Sequence, residues 1–206
     1  MNEYRLTIDD LYLVLNEWDL LLKTRLLLVA CGGTALTLQG FKESTKDVDF
    51  ILPHPKQHQT LINTLESAGY RRATGSGWKH PEKPFIFDLY VGQRIFTTDL
   101  LDALHTSDRH RPVRVLKHLT VAVINSLDLI ISKMFRGDQV DVDDSILLLK
   151  QQEIDLNALF SRYKETAAFS TFGEKCKKNF AYLIAEMDRH DFDTAKVKEE
   201  MQQWTP

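Results

Sequence analysis

The chain has 206 residues, 43% of them hydrophobic and 27% charged, with a formal net charge of −3. That length suits one α/β domain, alone or with a small helical one, and is enough for a substantial core. The near-neutral balance excludes a strongly basic nucleic-acid binder, so any contact with nucleic acid has to come from a local patch.

The two cysteines, Cys31 and Cys176, stand in no paired metal spacing and read as reduced intracellular thiols. The polar, acidic start MNEYRLTIDD does not read as a signal peptide. The longest near-apolar stretch, 121–131, is broken by Asn125, Ser126 and Asp128 and is too short to span a bilayer. The expectation is a cytoplasmic protein that stays out of membranes.

In chain order, residues 8–24 place apolar side chains at helical spacing, with Asp9 and Asp10 near the start where the helix dipole favours them. Leu26–Ala30 is a compact apolar run, a buried strand that ends at Cys31-Gly32-Gly33. Residues 34–39 predict a short helix stopped by Gly40. Residues 47–52 alternate as a strand with acids on one face at its start, and Pro53 and Pro55 end it. An amphipathic helix follows over 57–68, stopped by Gly69, then a short strand over 70–74. The glycine-rich segment 75–81 reads as a loop or hairpin tip. Residues 85–91 (FIFDLYV) are a strong strand with Asp88 inside it, residues 97–105 look helical, and 113–123 hold one or two further strands. From Asn125 the period shifts to 3.6, with helices over 125–136, 142–151, 155–168, 173–188 and 192–204. The expected fold class is α/β in the α+β sense. A mixed-sheet core over 1–124 is followed by a helical C-terminal region over 125–206 packed on it.

The chemistry concentrates in three acids and a turn. On a strand, residues two apart share a face, so Asp47 and Asp49 project together while Val48 packs beneath. Two carboxylates about 6–7 Å apart on one face repel unless a cation lies between them. Asp88 is a third acid in an otherwise apolar strand, where a charge is costly unless paired or metal-bound. Neighbouring strands would make the three converge, as two-metal phosphoryl transfer requires, and hard oxygen ligands suit Mg²⁺. Gly32-Gly33-Thr34 follows a strand and opens a helix. Glycine lets the backbone approach a phosphate, and the Thr34 hydroxyl caps the helix or contacts a phosphate oxygen. A plain turn explains Gly-Gly-Thr as well; its spacing from Asp-x-Asp and from Asp88 is what makes it specific.

The order strand, Gly-Gly-Thr, short helix, Thr45-Lys46-Asp47-Val48-Asp49-Phe50, later strand with Asp88 resembles the nucleotidyltransferase superfamily that includes DNA polymerase beta. It looks closest to small bacterial stand-alone members found as toxins in toxin–antitoxin and abortive-infection systems. The resemblance implies that Gly32, Gly33 and Thr34 hold a nucleoside triphosphate. It also implies that Asp47, Asp49 and Asp88 bind Mg²⁺ (two ions, with Mn²⁺ as a substitute), and that Asp88 activates the attacking hydroxyl. The implied acceptor is RNA, a protein or a small molecule, and the implied partner an antitoxin. The motifs cover about residues 25–91. A second stretch, Leu127 to Gly137 followed by Asp141-Val142-Asp143-Asp144, is similar to the helix that presents a lysine to the nucleotide, which puts Lys133 at the triphosphate. On the residues alone, Lys133 is equally a buried ion-pair partner of one of these acids. Asp141 and Asp144 also read as helix N-terminal charges.

One departure and three side signals complete the sequence. The basic residue near the paired acids is only Lys46, whose side chain alternates away from them. His54 and His58 read as a solvated surface pair lacking further metal ligands. The basic run 109–114 reads either as a solvated face or as a guide for RNA. Trp78 and Tyr90 are core aromatics by default and base-stacking platforms otherwise. Two competing readings are an inactive nucleotide-binding or interaction protein on the same fold, and acids paired with the arginines of 109–114.

Overall fold

A computed structural model of the chain describes residues 4–102, 104, 106 and 108–206. The chain divides into two compact units, one of 4–94 with 102–125 and one of 95–101 with 126–206.

The first unit opens with β1 (Leu6–Thr7), which pairs antiparallel with β3 (Ser44–Thr45). Helix α1 (Ile8–Leu21) starts from a capping box. Asp10 N donates to the Thr7 hydroxyl and Thr7 N donates to the Asp10 carboxylate, satisfying donors that a helix start leaves open. Helices α2 (Gly32–Leu38) and α3 (Pro55–Ser67) pack on a seven-stranded sheet. Its order is β10 (His110–Val115), β11 (Leu119–Ile124), β2 (Leu26–Ala30), β4 (Val48–Leu52), β7 (Ile86–Val91), β6 (Gly77–Lys79) and β5 (Arg71–Arg72). The β11/β2 and β4/β7 pairs are parallel and the others antiparallel, which makes the mixed sheet expected from the sequence. The apolar run Leu26–Ala30 suits β2, an inner strand between β11 and β4 with little need of a polar face.

Two long-range ties hold this unit together. Asp19, buried in α1, accepts from His118 N at 2.7 Å and Leu119 N at 2.8 Å, anchoring the start of β11. Trp18 Nε1 donates to the Tyr70 hydroxyl at 3.0 Å, and its ring lies 4.7 Å from that of Phe87.

Two local expectations change. Gly77–Lys79 is a strand, not a loop, and pairs on both sides, with Trp78 opposite Arg72 and Phe87. Burial of Trp78, with the Arg72 guanidinium 5.5 Å over its ring, outweighs the flanking turn residues and makes it a core aromatic. The described residues of 97–105 are not helical. β8 (Arg94–Ile95) turns through Phe96, at φ 50, into β9 (Thr98–Asp99). Thr98, β-branched, favours the extended backbone it takes in β9 over the apolar periodicity. The rest of that expected helix, at 103 and 105, lies outside the described residues.

The second unit carries α4 (Ser126–Arg136), α5 (Gln139–Gln151), α6 (Leu156–Ala167), α7 (Gly173–Arg189) and α8 (Ala195–Gln203), the helical C-terminal region expected. Gly137, at φ +74, breaks α4 from α5, and Asn179 packs against it. Tyr163 anchors the core. Its ring lies 4.5 Å from Phe180 and 5.3 Å from Phe135, and its hydroxyl donates to the Cys176 carbonyl at 2.9 Å. Buried Asp128 accepts from Arg162 Nε at 2.6 Å. Cys31 and Cys176 are both buried and free of disulfides. Among the described residues no helix is long and apolar enough to cross a membrane.

Candidate active site

The parallel pairing of β4 with β7 puts Asp49 and Asp88 in direct register. Parallel neighbours project to the same side, and adjacent strands lie about 4.8 Å apart, so the two carboxylates share one surface. Asp49 is 7% exposed and Asp88 half-buried. Like charges this close and this dry raise each other's cost unless a cation or donors neutralise them.

Asp47 departs from the expected arrangement. β4 begins at Val48, so Asp47 sits one residue ahead of the strand and is exposed. The cause is local. The hydroxyls of Thr34 and Thr45 both donate to the Asp47 carbonyl, at 3.0 and 2.9 Å, which removes that carbonyl from the ladder. Thr34, fully buried, also accepts from Asp49 N at 2.9 Å. It therefore laces the first turn of α2 to the entry of β4, and its proton is spent on the backbone.

The glycines fit the same entry. Gly32 has φ +56, and a Cβ there would stand 2.5 Å from Asp49 Oδ2; one on Gly33 would stand 2.6 Å from Thr45 Oγ1. Only a residue without a side chain lets the turn lie against the carboxylate.

Ser76 is unmarked in the sequence as a neighbour of the acids, and Tyr90 reads there only as a core or base-stacking aromatic. Ser76, in the turn between β5 and β6, donates its hydroxyl to Asp88 Oδ1 at 2.6 Å. Tyr90 stands two residues beyond Asp88 in β7 and so on the same face. Burial pushes its phenol up, and the carboxylates of Asp49 and Asp88 push it further. The i+2 spacing from Asp88 marked Tyr90 in the sequence, whereas Ser76 reaches the site only because β6 folds back along β7.

Lys133 belongs to the helical unit. Its ammonium, 5% exposed, lies 2.7 Å from Asp144 Oδ2 and 3.8 Å from Asp141 Oδ1. Asp141 also accepts both Arg136 Nε, at 2.7 Å, and Nη2, at 2.6 Å, and closes a capping box with Asp138 at the start of α5.

His58 is not a solvated surface residue. It is half-buried, and its Nε2 lies 3.2 Å from the Leu89 carbonyl; burial depresses its pKa, the Leu89 bond opposes this, and the Arg72 charge adds to it. In the basic run, Arg111 Nη2 donates to Gln39 Oε1 at 3.2 Å, Arg114 stacks 4.3 Å over Tyr12, and Arg109 pairs with Asp102. Among the described residues, the partners of Arg111 and Arg114 give no support to a structural pairing with the three acids.

Nor do the three acids converge into one closed cluster. Among the described residues no three His, Cys, Asp or Glu side chains stand together at metal-holding spacing. What is present is a register pair, Asp49 and Asp88, with Asp47 at the strand's entry. That donor set still fits Mg²⁺, which commonly takes one or two protein carboxylates and completes its shell with phosphate and water.

Asp49 and Asp88 thus face each other on adjacent parallel strands of a mixed sheet, beside the Gly-Gly-Thr turn. The chain belongs to the family described as nucleotidyltransferase of unknown function (DUF6036), which matches residues 9–196. No curated protein matches it.

Proposed function

We propose that the protein transfers a nucleotidyl group from a nucleoside triphosphate to an acceptor hydroxyl in a Mg²⁺-dependent reaction. The observation that carries this reading is the register pairing of Asp49 with Asp88 against the side-chain-free face of Gly32. Gly32 and Gly33 leave backbone open to the triphosphate, and Thr34 fixes the strand entry that presents Asp47 and Asp49. Asp88 takes the acceptor proton. Its Oδ1 already receives the Ser76 hydroxyl, while Oδ2 has no protein hydrogen bond among the described residues. Mg²⁺, as two ions or with Mn²⁺ in their place, would be held by Asp49 and Asp88 with Asp47 at the entry, and would neutralise the triphosphate and the departing pyrophosphate. Lys133, which the resemblance assigns to the triphosphate, is held by Asp144.

The acceptor class that suits the resemblance is RNA or a protein in the cytoplasm, in a toxin-like setting with an antitoxin partner. A second reading, a nucleotide-binding or interaction protein without turnover, draws on one observation: the lysine assigned to the phosphates is engaged by Asp144.

Thermal unfolding of the wild type and of Asp49→Asn with each of the four NTPs, with and without Mg²⁺, tests the proposal. Binding to the folded state alone stabilises it by about 2.7 kcal/mol at a hundredfold excess over Kd. A Mg²⁺-dependent rise in Tm that disappears in Asp49→Asn is expected. No rise with any nucleotide sinks the assignment. A rise without pyrophosphate release in the presence of RNA or protein acceptors supports the second reading.

A further inference from the structure

The geometry points to an acceptor within the protein itself: we propose that this site nucleotidylates Ser76. The inference rests on the nucleotidyl-transfer reading above and names one acceptor for it.

Ser76 Oγ donates to Asp88 Oδ1 at 2.6 Å. That is the distance and the direction a hydroxyl nucleophile needs toward its general base. The other hydroxyls at the site are differently committed. Those of Thr34 and Thr45 both donate to the Asp47 carbonyl, and Thr74 Oγ1 accepts from Gly77 N. Of the serine and threonine hydroxyls around the acids with a described hydrogen bond, Ser76 is the one that gives its proton to a carboxylate.

The turn that carries Ser76 suits an acceptor. It is closed by bonds from Ala73 N and Thr74 N to the Gly77 carbonyl, at 2.8 and 3.2 Å, and Leu89 N holds the Ser76 carbonyl at 2.9 Å. The backbone is fixed while the side chain stays half-buried and within reach of solvent. The preceding residue, Gly75, has no heavy atom within 4 Å of where a Cβ would stand, so there is open space on that side of the turn.

The step balances without any further reactant. Ser76 Oγ attacks the α-phosphorus of the triphosphate, and an Oγ–P bond forms. The bond from that phosphorus to the β-phosphate oxygen breaks, and pyrophosphate leaves with the electron pair. The serine proton passes to Asp88 Oδ1 and from there to water. The product is a phosphodiester between Ser76 and the nucleoside, and the attached nucleotide lies over Asp88. Modification therefore stops at one nucleotide per chain.

The test is incubation of the full chain with each α-³²P-labelled NTP and Mg²⁺ in the absence of any added acceptor, followed by peptide mapping by mass spectrometry. The expected result is label that rises to no more than one equivalent, carried on the peptide containing Ser76. Ser76→Ala is expected to abolish it and Ser76→Thr, which keeps a hydroxyl, to retain it. A wild-type chain that shows the Mg²⁺-dependent nucleotide shift in Tm but carries no label, or carries it on another residue, overturns the inference and leaves the transfer reading standing. A wild-type chain with neither shift nor label overturns both.

Discussion

Gly32 and Asp49 approach so closely that a Cβ on the first would stand 2.5 Å from Oδ2 of the second. Gly32 also holds φ +56, a conformation that costs an L side chain roughly 1–2 kcal/mol. Gly32→Ala is expected to lower the urea midpoint by at least that strain and to push the Asp49 carboxylate off its position. The nucleotide-dependent rise in Tm should then be lost. A Gly32→Ala variant as stable and as responsive as the wild type contradicts the close approach.

Thr34 makes two bonds with one hydroxyl, a part-buried one to the Asp47 carbonyl and a buried one from Asp49 N. Thr34→Val keeps the shape and strands the buried Asp49 N–H, at a cost of about 1–3 kcal/mol, while the Asp47 carbonyl keeps its bond from Thr45. Thr34→Ser keeps the bonds and should lose far less. Denaturant unfolding of the two variants separates a positioning hydroxyl from a dispensable one.

Lys133 and Asp144 form a buried ion pair. Removing one member leaves the other charged and dry, so Lys133→Met is expected to destabilise by about 3–5 kcal/mol. Lys133→Met combined with Asp144→Leu should recover much of that loss, and a double-mutant cycle by urea unfolding measures the coupling. If Lys133→Met leaves stability unchanged and removes only the nucleotide response, the lysine serves phosphate instead of the fold.

His58 supplies a pH dependence with a definite sign. Burial depresses its pKa in the folded chain, below the value near 6.5 that the unfolded chain retains. Between those two values the unfolded state binds more protons, so stability is complete above pH of about 6.5 and falls as the pH drops toward the folded value. His58→Gln should flatten the urea-midpoint profile across that window. A profile unchanged by the substitution places the slope on another group.

Strands and helices whose patterns are fixed by burial were legible from the residues alone. Leu26–Ala30 is an inner strand and is apolar throughout, and the five C-terminal helices keep their 3.6 period because each turns one stripe to a common core. What could not be read depends on partners distant in sequence. Gly77–Lys79 becomes a strand because β7 and β5 flank it, although its own glycines signal a turn. Asp47 leaves the strand because two threonine hydroxyls compete for its carbonyl, a contest invisible to alternation rules. Ser76 joins Asp88 across the β6/β7 pairing, and His58 meets Leu89 across the packing of α3 on β7. The acids and glycines of the candidate site were visible because their residue types are rare in apolar strands; their supporting hydroxyls are common everywhere.

The two ends of the seven-stranded sheet carry charge. At one edge stands β5, only two residues long and both arginine; at the other stands β10, where Arg111, Pro112 and Arg114 sit at a break in the pairing register. An open sheet edge is a template for another chain, and short length, positive charge, proline and bulges are the devices that blunt it. The arginines, the proline and the register break therefore make both edge strands poor templates for strand addition.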